Sequence, residues 1–420
     1  MKKTLRLLLA MILVISMMAG CGSSSRGESS SGGGDEPDHG NTSTSAYDDF
    51  VLSDIKAGFI MLQDENSAYD LNFINAAKTA CEELGVEYLI RTNIPEGKEC
   101  YDAAADLVDA GCGIIFADSF GHEDFMIRAA RDFPDVEFCH ATGTRAHTED
   151  LPNYHNAFAS IYEGRYLTGV AAGMKLNEMI ENGDIREDEV RIGYVGTFTN
   201  AEVISGYTSF FLGALSQCPS ATMEVTFTGS RDDETAEKEA AASLIHDGCV
   251  LISQHSDSMG APAACEAAGV PNVSYNGSTV SKCPKTFIVS SRIDWTPYFE
   301  YAITAVAADE GIDPDYTGTI STGSVVLSEI NEQAAAEGTA EKIAEVTEQI
   351  QNEEIYVFDI SSFTIDGKTI DSYMADVDTD PASEGDTEVI SDGYFHESVY
   401  RSAPYFDLQI DGIKLLNTQT

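Results

Sequence analysis

Leu107-Val108-Asp109-Ala110-Gly111-Cys112 and Leu244-Ile245-His246-Asp247-Gly248-Cys249 are two versions of one phrase, set 137 residues apart, and each leads into an apolar run. The runs are Gly113–Ala117 and Val250–Ile252. A helix closed by glycine and followed at once by a short apolar strand is the second half of a βα unit. The echo extends to Gly58-Phe59-Ile60 and Gly193-Tyr194-Val195, at a nearly equal offset. One α/β unit therefore occurs twice, which describes a bilobed protein.

Working outward, Ile55–Leu62 reads as a buried strand and Asn72–Leu84 as the helix after it. Val86–Arg91, Gly113–Ala117 and Val136–His140 read as further strands, separated by helices at Tyr101–Asp109 and Glu123–Asp132. The pattern restarts at Val190–Val195. Strands alternating with helices of about ten residues predict parallel βαβ units. The expected fold class is α/β, with two Rossmann-like lobes, a hinge and a central ligand cleft. Lobe 1 is expected at 51–159 and 287–323, and lobe 2 at 160–286 and 324–420. In the last part, Glu329–Gln351 reads as an acidic helix, Tyr356–Phe363 and Tyr405–Ile413 as strands, and Asp376–Glu388 as a loop, all packed on lobe 2.

The N-terminus carries a different signal. Lys2, Lys3 and Arg6 precede an apolar run from Leu7 to Met18, then Ala19-Gly20-Cys21. That run is too short to span a bilayer as an anchor but suits a signal-peptide core. Small residues before a cysteine are what a lipoprotein signal peptidase requires, so residues 1–20 are expected to be removed and Cys21 acylated. Residues 21–50, rich in Ser, Gly and acidic side chains, read as a flexible tether. The expected location is the extracytoplasmic face of the cell membrane, attached by lipid.

Charge narrows the partners. With 24 basic against 70 acidic residues, the chain has a formal net charge of −46. Such a surface repels nucleic acid and anionic lipid, so membrane contact is expected through the anchor alone. Besides Cys21 there are eight cysteines, with no C-x-x-C pair. Several sit in apolar runs, so most are expected to be reduced and buried, with no metal site and no cofactor.

In open parallel sheets ligands sit beyond the carboxyl ends of the strands, and two facing lobes put both sets of ends on one cleft. The residues after the strands are therefore the candidates: Tyr69, Asp118, Ser119, Phe120, Phe198, Asn200, Gln254, His255, Asp257, Asn276 and Trp295. Aromatic faces stack flat rings, while carboxylates and amides bind ring edges and sugar hydroxyls. His140 reads as a core histidine, Arg165 as paired with a carboxylate near the hinge, and His122-Glu123-Asp124 as a solvated helix start. A rival reading is a nucleoside-processing hydrolase or phosphorylase using Asp64, Asp118 or Asp257. No Gly-rich phosphate loop, H-E-x-x-H or G-x-S-x-G accompanies them.

Several of these stretches together resemble the basic membrane protein family of ABC-importer lipoproteins. They include Phe133-Pro134-Asp135-Val136, His140-Ala141-Thr142-Gly143, Tyr162-Glu163-Gly164-Arg165-Tyr166-Leu167, and Glu202-Val203-Ile204 with Gly206. Gln254-His255-Ser256-Asp257-Ser258 and Trp295-Thr296-Pro297-Tyr298 complete the set. The resemblance implies a type I periplasmic-binding fold, no enzymatic activity, and delivery of a purine nucleoside or base to ABC permease and ATPase subunits. A sensor that presents the same ligand is the other role open to such a lipoprotein. Asn276-Gly277-Ser278 stands where relatives often have D-S-D, and Tyr69 takes the place of a ring usual after the first strand.

The anchor is directly testable. Cys21→Ser should move the protein from the membrane to the soluble fraction on cell fractionation. Retention of the variant in the membrane would refute the lipid anchor.

Overall fold

The computed structural model describes residues 55–378 and 387–418, together with Leu52 and Gly385. The expected signal peptide, tether and Cys21, and part of the 376–388 loop, lie outside the described residues.

The first sheet is built from β1 (Lys56–Ile60), β2 (Glu87–Arg91), β3 (Ile114–Ala117), β4 (Glu137–Ala141) and β5 (Tyr154–Ala159). Helices α1 (Ala68–Leu84), α2 (Lys98–Asp109) and α3 (Glu123–Asp132) connect its first four strands. After β5 the chain enters α4 (Ile161–Asn182) and a second sheet of β6 (Arg191–Gly196), β7 (Thr222–Phe227), β8 (Leu251–Gln254), β9 (Asn272–Tyr275) and β10 (Phe287–Ile293). Its connecting helices are α5 (Ala201–Gln217), α6 (Glu234–His246) and α7 (Gly260–Ala268). Then come α8 (Thr296–Ala307), β11 (Asp315–Gly318), β12 (Val325–Leu327), α9 (Thr339–Gln351) and β13 (Ile413–Leu415).

The first sheet runs β11-β5-β4-β3-β1-β2 and is parallel throughout. The second runs β12-β10-β9-β8-β6-β7-β13, parallel except where β12 meets β10. Both contain the doubly wound order 2-1-3-4-5, whose switch point lies beside the first strand. This is the expected two-lobed architecture with one boundary moved. Residues 287–293, expected in lobe 1, form β10 and pair with β9 and β12 of the second sheet. The chain returns to the first lobe only at Trp295, where α8 begins and packs on α1.

The sequence echo has a packing cause. A Cβ on Gly58 of β1 would lie 3.0 Å from Leu107 Cδ1 and 3.3 Å from both Cys112 Sγ and Ile115 Cγ1. A Cβ on Gly193 of β6 would lie 3.0 Å from Leu244 Cβ, 3.2 Å from Cys249 Cβ and 2.6 Å from Ile252 Cδ1. Each lobe thus presses the same Leu, Cys and Ile against a bare central strand. Gly111 and Gly248, at φ 87 and 98, turn the chain from helix to strand in the left-handed conformation glycine tolerates. All eight described cysteines are buried and free, in line with the expectation from the apolar runs.

The C-terminal region departs most from expectation. The helix starts at Thr339 rather than Glu329, and neither Tyr356–Phe363 nor Tyr405–Ile413 is a strand. Their aromatic side chains are anchors for irregular backbone: Phe358 stacks on Phe406 at 4.2 Å within the core of the second lobe. The strands that do form lie elsewhere: Ile413–Leu415 (β13) extends the second sheet beyond β7, Met374–Ala375 pairs with Thr387–Glu388 at the end of the expected loop, and Ile390–Ser391 pairs with Tyr394–Phe395. The region also reaches the first lobe. Thr317 Oγ1 donates to Ser398 O at 3.1 Å, and Ser402 N donates to Asp315 Oδ2 at 3.0 Å. Packing on lobe 2 alone was expected; the segment around Ser398–Ser402 touches both lobes.

Gly193→Ala should destabilise the protein by about 1–3 kcal/mol through overpacking. Because Ile252 Cδ1 is the nearest obstacle, adding Ile252→Val should recover part of that loss. Urea denaturation of the two single variants and the double variant measures the coupling; strict additivity would refute the contact.

Candidate functional site

The carboxyl ends of both sheets face one cleft. Leu62, Gln63, Ser67, Tyr69 and Asp70 reach it from the turn after β1, Phe120 from β3 and Thr142 from β4. From the second lobe come Thr197, Asn200 and Glu202 after β6, Arg231 after β7, His255 and Asp257 after β8, and Tyr275 and Asn276 at the end of β9. The room these side chains leave for a water-sized sphere is about 50 Å³, well below the ~300–1,000 Å³ usual for small-molecule sites. Thr142 and Asn276, at φ 66 and 60, follow the equivalent fourth strands of the two sheets. Left-handed backbone at two non-glycine positions costs free energy and concentrates at ligand sites.

Local caps place these side chains. Ser67 accepts from Asp70 N at the start of α1, and Asn200 accepts from Val203 N at the start of α5. Asp70 Oδ1 in turn accepts from Gln63 N at 2.7 Å. Behind it lies Asp118, fully buried, whose Oδ1 accepts from Leu62 N at 3.0 Å. Burial, then the neighbouring Asp70 charge, pushes the Asp118 carboxyl well above its ordinary range. Tyr69 Oη donates to the Asp118 carbonyl at 2.7 Å, which holds its ring at the cleft wall. Across the cleft, burial raises Asp257 to about 7 against the opposing hydrogen bond from Asn276 Nδ2 at 2.6 Å.

Across the cleft itself, Arg231 and Asn72 make contacts that join the lobes. Arg231 Nη1 lies 3.7 Å from Glu96 Oε1 and 3.5 Å from Ser119 Oγ. Asn72 Nδ2 donates to Asn276 O at 3.1 Å. Ser119 Oγ and Gly121 N both donate to Glu96, so the acceptor is fixed before Arg231 reaches it. Arg231 is the single arginine or lysine lining the cleft described above.

Of the predicted residues, Tyr69, Phe120, Asn200, His255, Asp257 and Asn276 line the cleft. Phe120 is 52% exposed, an unusual state for a phenyl ring. The others do not meet them there. Asp118 stands one layer behind, and Ser119 is spent on Glu96. Gln254, on the opposite side of its strand from His255, is buried and accepts from Asn272 Nδ2 at 2.9 Å. Phe198 is partly buried outside the lining. Trp295, 2% exposed, is core: its ring stacks on Phe73 at 4.4 Å, so it offers no face to a cleft ligand.

Other readings are also settled. His140 is buried, its Nε2 2.7 Å from Ser119 O. Glu123 is no solvated helix start, for it is buried and accepts from Thr144 N, Arg145 N and Tyr154 Oη. Arg165 has no carboxylate partner among the described residues; it donates to Tyr194 Oη, Ser253 Oγ and the carbonyls of Ser274 and Gln254. Missed were Asp70, Thr142, Glu202, Arg231 and Tyr275. Glu202 could have been found from its place two residues after the Asn200 cap. Arg231 could have been found as a rare cation after an apolar strand. Among the described residues no cluster of three metal-ligating side chains is present, and no helix is long and apolar enough to cross a membrane.

A profile of the Bmp family, described as ABC transporter substrate-binding protein, PnrA-like, matches residues 59–360. The chain belongs to this family. It is 33% identical over 250 residues to a putative ABC transporter glucose-binding protein of Haloferax volcanii, a match covering 60% of each chain. It is 32% identical over 248 residues to a purine-binding protein of Brucella abortus, covering 58% of this chain and 67% of that one. Solved solute-binding proteins of ABC transporter systems have the same type I periplasmic-binding fold. One from Conexibacter woesei has a TM-score of 0.59 at 19% identity, covering 72% of this chain and 98% of its own. One from Aeropyrum pernix has a TM-score of 0.59 at 16% identity, covering 75% and 94%.

The buried acids set a pH dependence. Burial raises Asp118, and brings Glu163, Asp257 and Glu397 each to about 7. Each holds its proton to higher pH in the folded chain than in the unfolded chain. Their contribution to stability therefore falls as pH rises from the ordinary carboxylate value, about 4, to about 7. Buried His122, His140 and His255, whose pKa values burial lowers, act in the opposite sense below about pH 6.5. The acid contribution is therefore read by difference: urea stability of the wild type minus that of Asp257→Asn should fall between pH 5 and pH 8, and a difference that does not change with pH would contradict a raised Asp257.

Proposed function

We propose that this member of the Bmp family is the extracytoplasmic receptor of an ABC importer, tethered through Cys21, which closes its lobes on a purine base or nucleoside. The ligand then passes unchanged to permease and ATPase subunits. The observation that carries this reading is the composition of the cleft, where half-exposed Phe120 and the ring of Tyr69 stand beside groups that read the rim of a flat ring. Asp257 and Asn276 offer a mixed donor and acceptor edge, and Glu202 offers an acceptor. A heterocycle has one apolar face for the rings and in-plane polar atoms for the carboxylates and amide. The purine-binding relative from Brucella supports the same class.

The mechanism is hinge closure. Ligand bound to one wall brings the other wall to it, and the Arg231–Glu96 and Asn72–Asn276 contacts hold the closed state. The Arg231–Glu96 pair is partly solvent-exposed and contributes little alone, so the ligand supplies most of the closing free energy. With Trp295 in the core, stacking falls to Phe120 and Tyr69.

Calorimetry against adenine, hypoxanthine, adenosine, inosine, guanosine and glucose tests the reading. A purine should bind with Kd around micromolar or tighter, about −8 kcal/mol, and chromatography should recover it unmodified. Phe120→Ala should weaken binding by about 1–3 kcal/mol if base stacking applies. Glucose binding without purine binding, or conversion of the nucleoside, would overturn it.

A further inference from the structure

Three of the sequence motifs meet at one point in the second lobe, behind and at the cleft wall. Arg165 comes from α4, Tyr194 from β6, Glu202 and Gly206 from the first turns of α5, and His255 from the end of β8. Arg165 Nη2 donates to Tyr194 Oη at 3.0 Å. A guanidinium only donates, so the tyrosine oxygen accepts there and turns its own proton away. The next atom is His255 Nδ1, 3.4 Å from that oxygen. Nδ1 then accepts, which leaves the ring proton on Nε2, and Nε2 lies 3.4 Å from Glu202 Oε1. The chain of donors runs one way, from the buried cation to a carboxylate on the cleft wall.

Two further observations fit this direction. A Cβ at Gly206, one turn after Glu202, would lie 2.8 Å from His255 Nδ1, so the glycine is what seats the imidazole beside Tyr194. Burial lowers the His255 pKa, against the Glu202 hydrogen bond and charge; Arg165 and Arg231 also disfavour a second ring proton. The ring is therefore neutral and has one proton to place. Burial opposes ionisation of Glu202, but the His255 hydrogen bond and Arg231 bring it below its ordinary value, which keeps it anionic.

We propose that Arg165 is a positioning residue: through Tyr194 and His255 it fixes Glu202 as a hydrogen-bond acceptor in the cleft, favouring ligands that present an N–H or O–H there. The ligand clause rests on the proposed binding role; the relay stands on geometry alone. Long-range proton–nitrogen correlation spectra of the wild-type protein read the tautomer directly, with His255 assigned by a His255→Gln variant. The expected result at pH 7 is a neutral ring protonated on Nε2. A proton on Nδ1, or an imidazolium, overturns the relay, whether or not any purine binds. Tyr194→Phe removes the donor to His255 Nδ1 and should weaken inosine and adenosine binding at least tenfold. Glu202→Gln, at a partly exposed site, should weaken both similarly and serves where Tyr194→Phe folds poorly. Unchanged affinity in either variant overturns the positioning role. A wild type that binds no purine overturns the functional reading and leaves the relay to its spectrum.

Discussion

A guanidinium buried without a carboxylate is the constraint around which the second lobe is arranged. Arg165 is 0% exposed, and its charge cannot be discharged by losing a proton. Burial of such a charge costs several kcal/mol unless its hydrogen bonds are met. Here Nη1 and Nη2 are met by neutral oxygens at the ends of strands, namely Tyr194 Oη, Ser253 Oγ, and the carbonyls of Gln254 and Ser274, while Nε has no partner among the described residues. The rings of Tyr194, Phe210 and Tyr275 surround it, with centroids between 5.2 and 5.6 Å from the guanidinium carbon. The charge thereby ties β6, β8 and β9 together at the end where the ligand-facing side chains emerge. The first lobe solves the same problem by the opposite route. Its buried group behind the cleft wall is Asp118, an acid, whose carboxyl burial pushes well above the ordinary range, toward the neutral form.

The two lobes therefore share a scaffold and differ in electrostatics. Gly58 against Leu107, Cys112 and Ile115 repeats as Gly193 against Leu244, Cys249 and Ile252. Thr142 and Asn276 repeat the left-handed backbone after the fourth strand. These positions fix where strands end and how closely helices approach them, and they recur because the packing problem recurs. The side chains beyond the strand ends answer to the ligand and not to the scaffold, so they do not repeat.

That division also explains what could be read in the sequence. Helix caps, strand periodicity and the internal echo are local, so the alternation of elements from Ile55 to His140 was legible to within a few residues, while β5 and α4, which follow, were not read. The post-strand rule was equally legible, and it brought Tyr69, Phe120, Asn200, His255, Asp257 and Asn276 to one cleft. It failed where side-chain direction decides. Along a strand successive residues face opposite ways, so His255 enters the cleft while Gln254 turns to Asn272. Trp295 sits at the start of α8, where its ring completes the Phe73 and Phe299 stack. Its neighbours in sequence gave no hint of that direction. The C-terminal region was least legible because its aromatic residues anchor irregular chain against both lobes, and no period marks that.

The cleft's protonation states bear on the kind of ligand it holds. The chain carries a formal charge of −46, yet two of the acids at the cleft, Asp118 and Asp257, are shifted toward the neutral form near pH 7. This relieves repulsion among carboxylates that would otherwise resist closure of the lobes. The charges that remain include Asp70 and Glu202 as anions and Arg231 as a cation already engaged with Glu96. A phosphorylated ligand would meet Glu202 with no free cation among the lining residues to offset it. A neutral ligand with N–H or O–H donors would instead satisfy that carboxylate without importing charge into a closing, desolvating space. The same argument favours a base or nucleoside over its nucleotide.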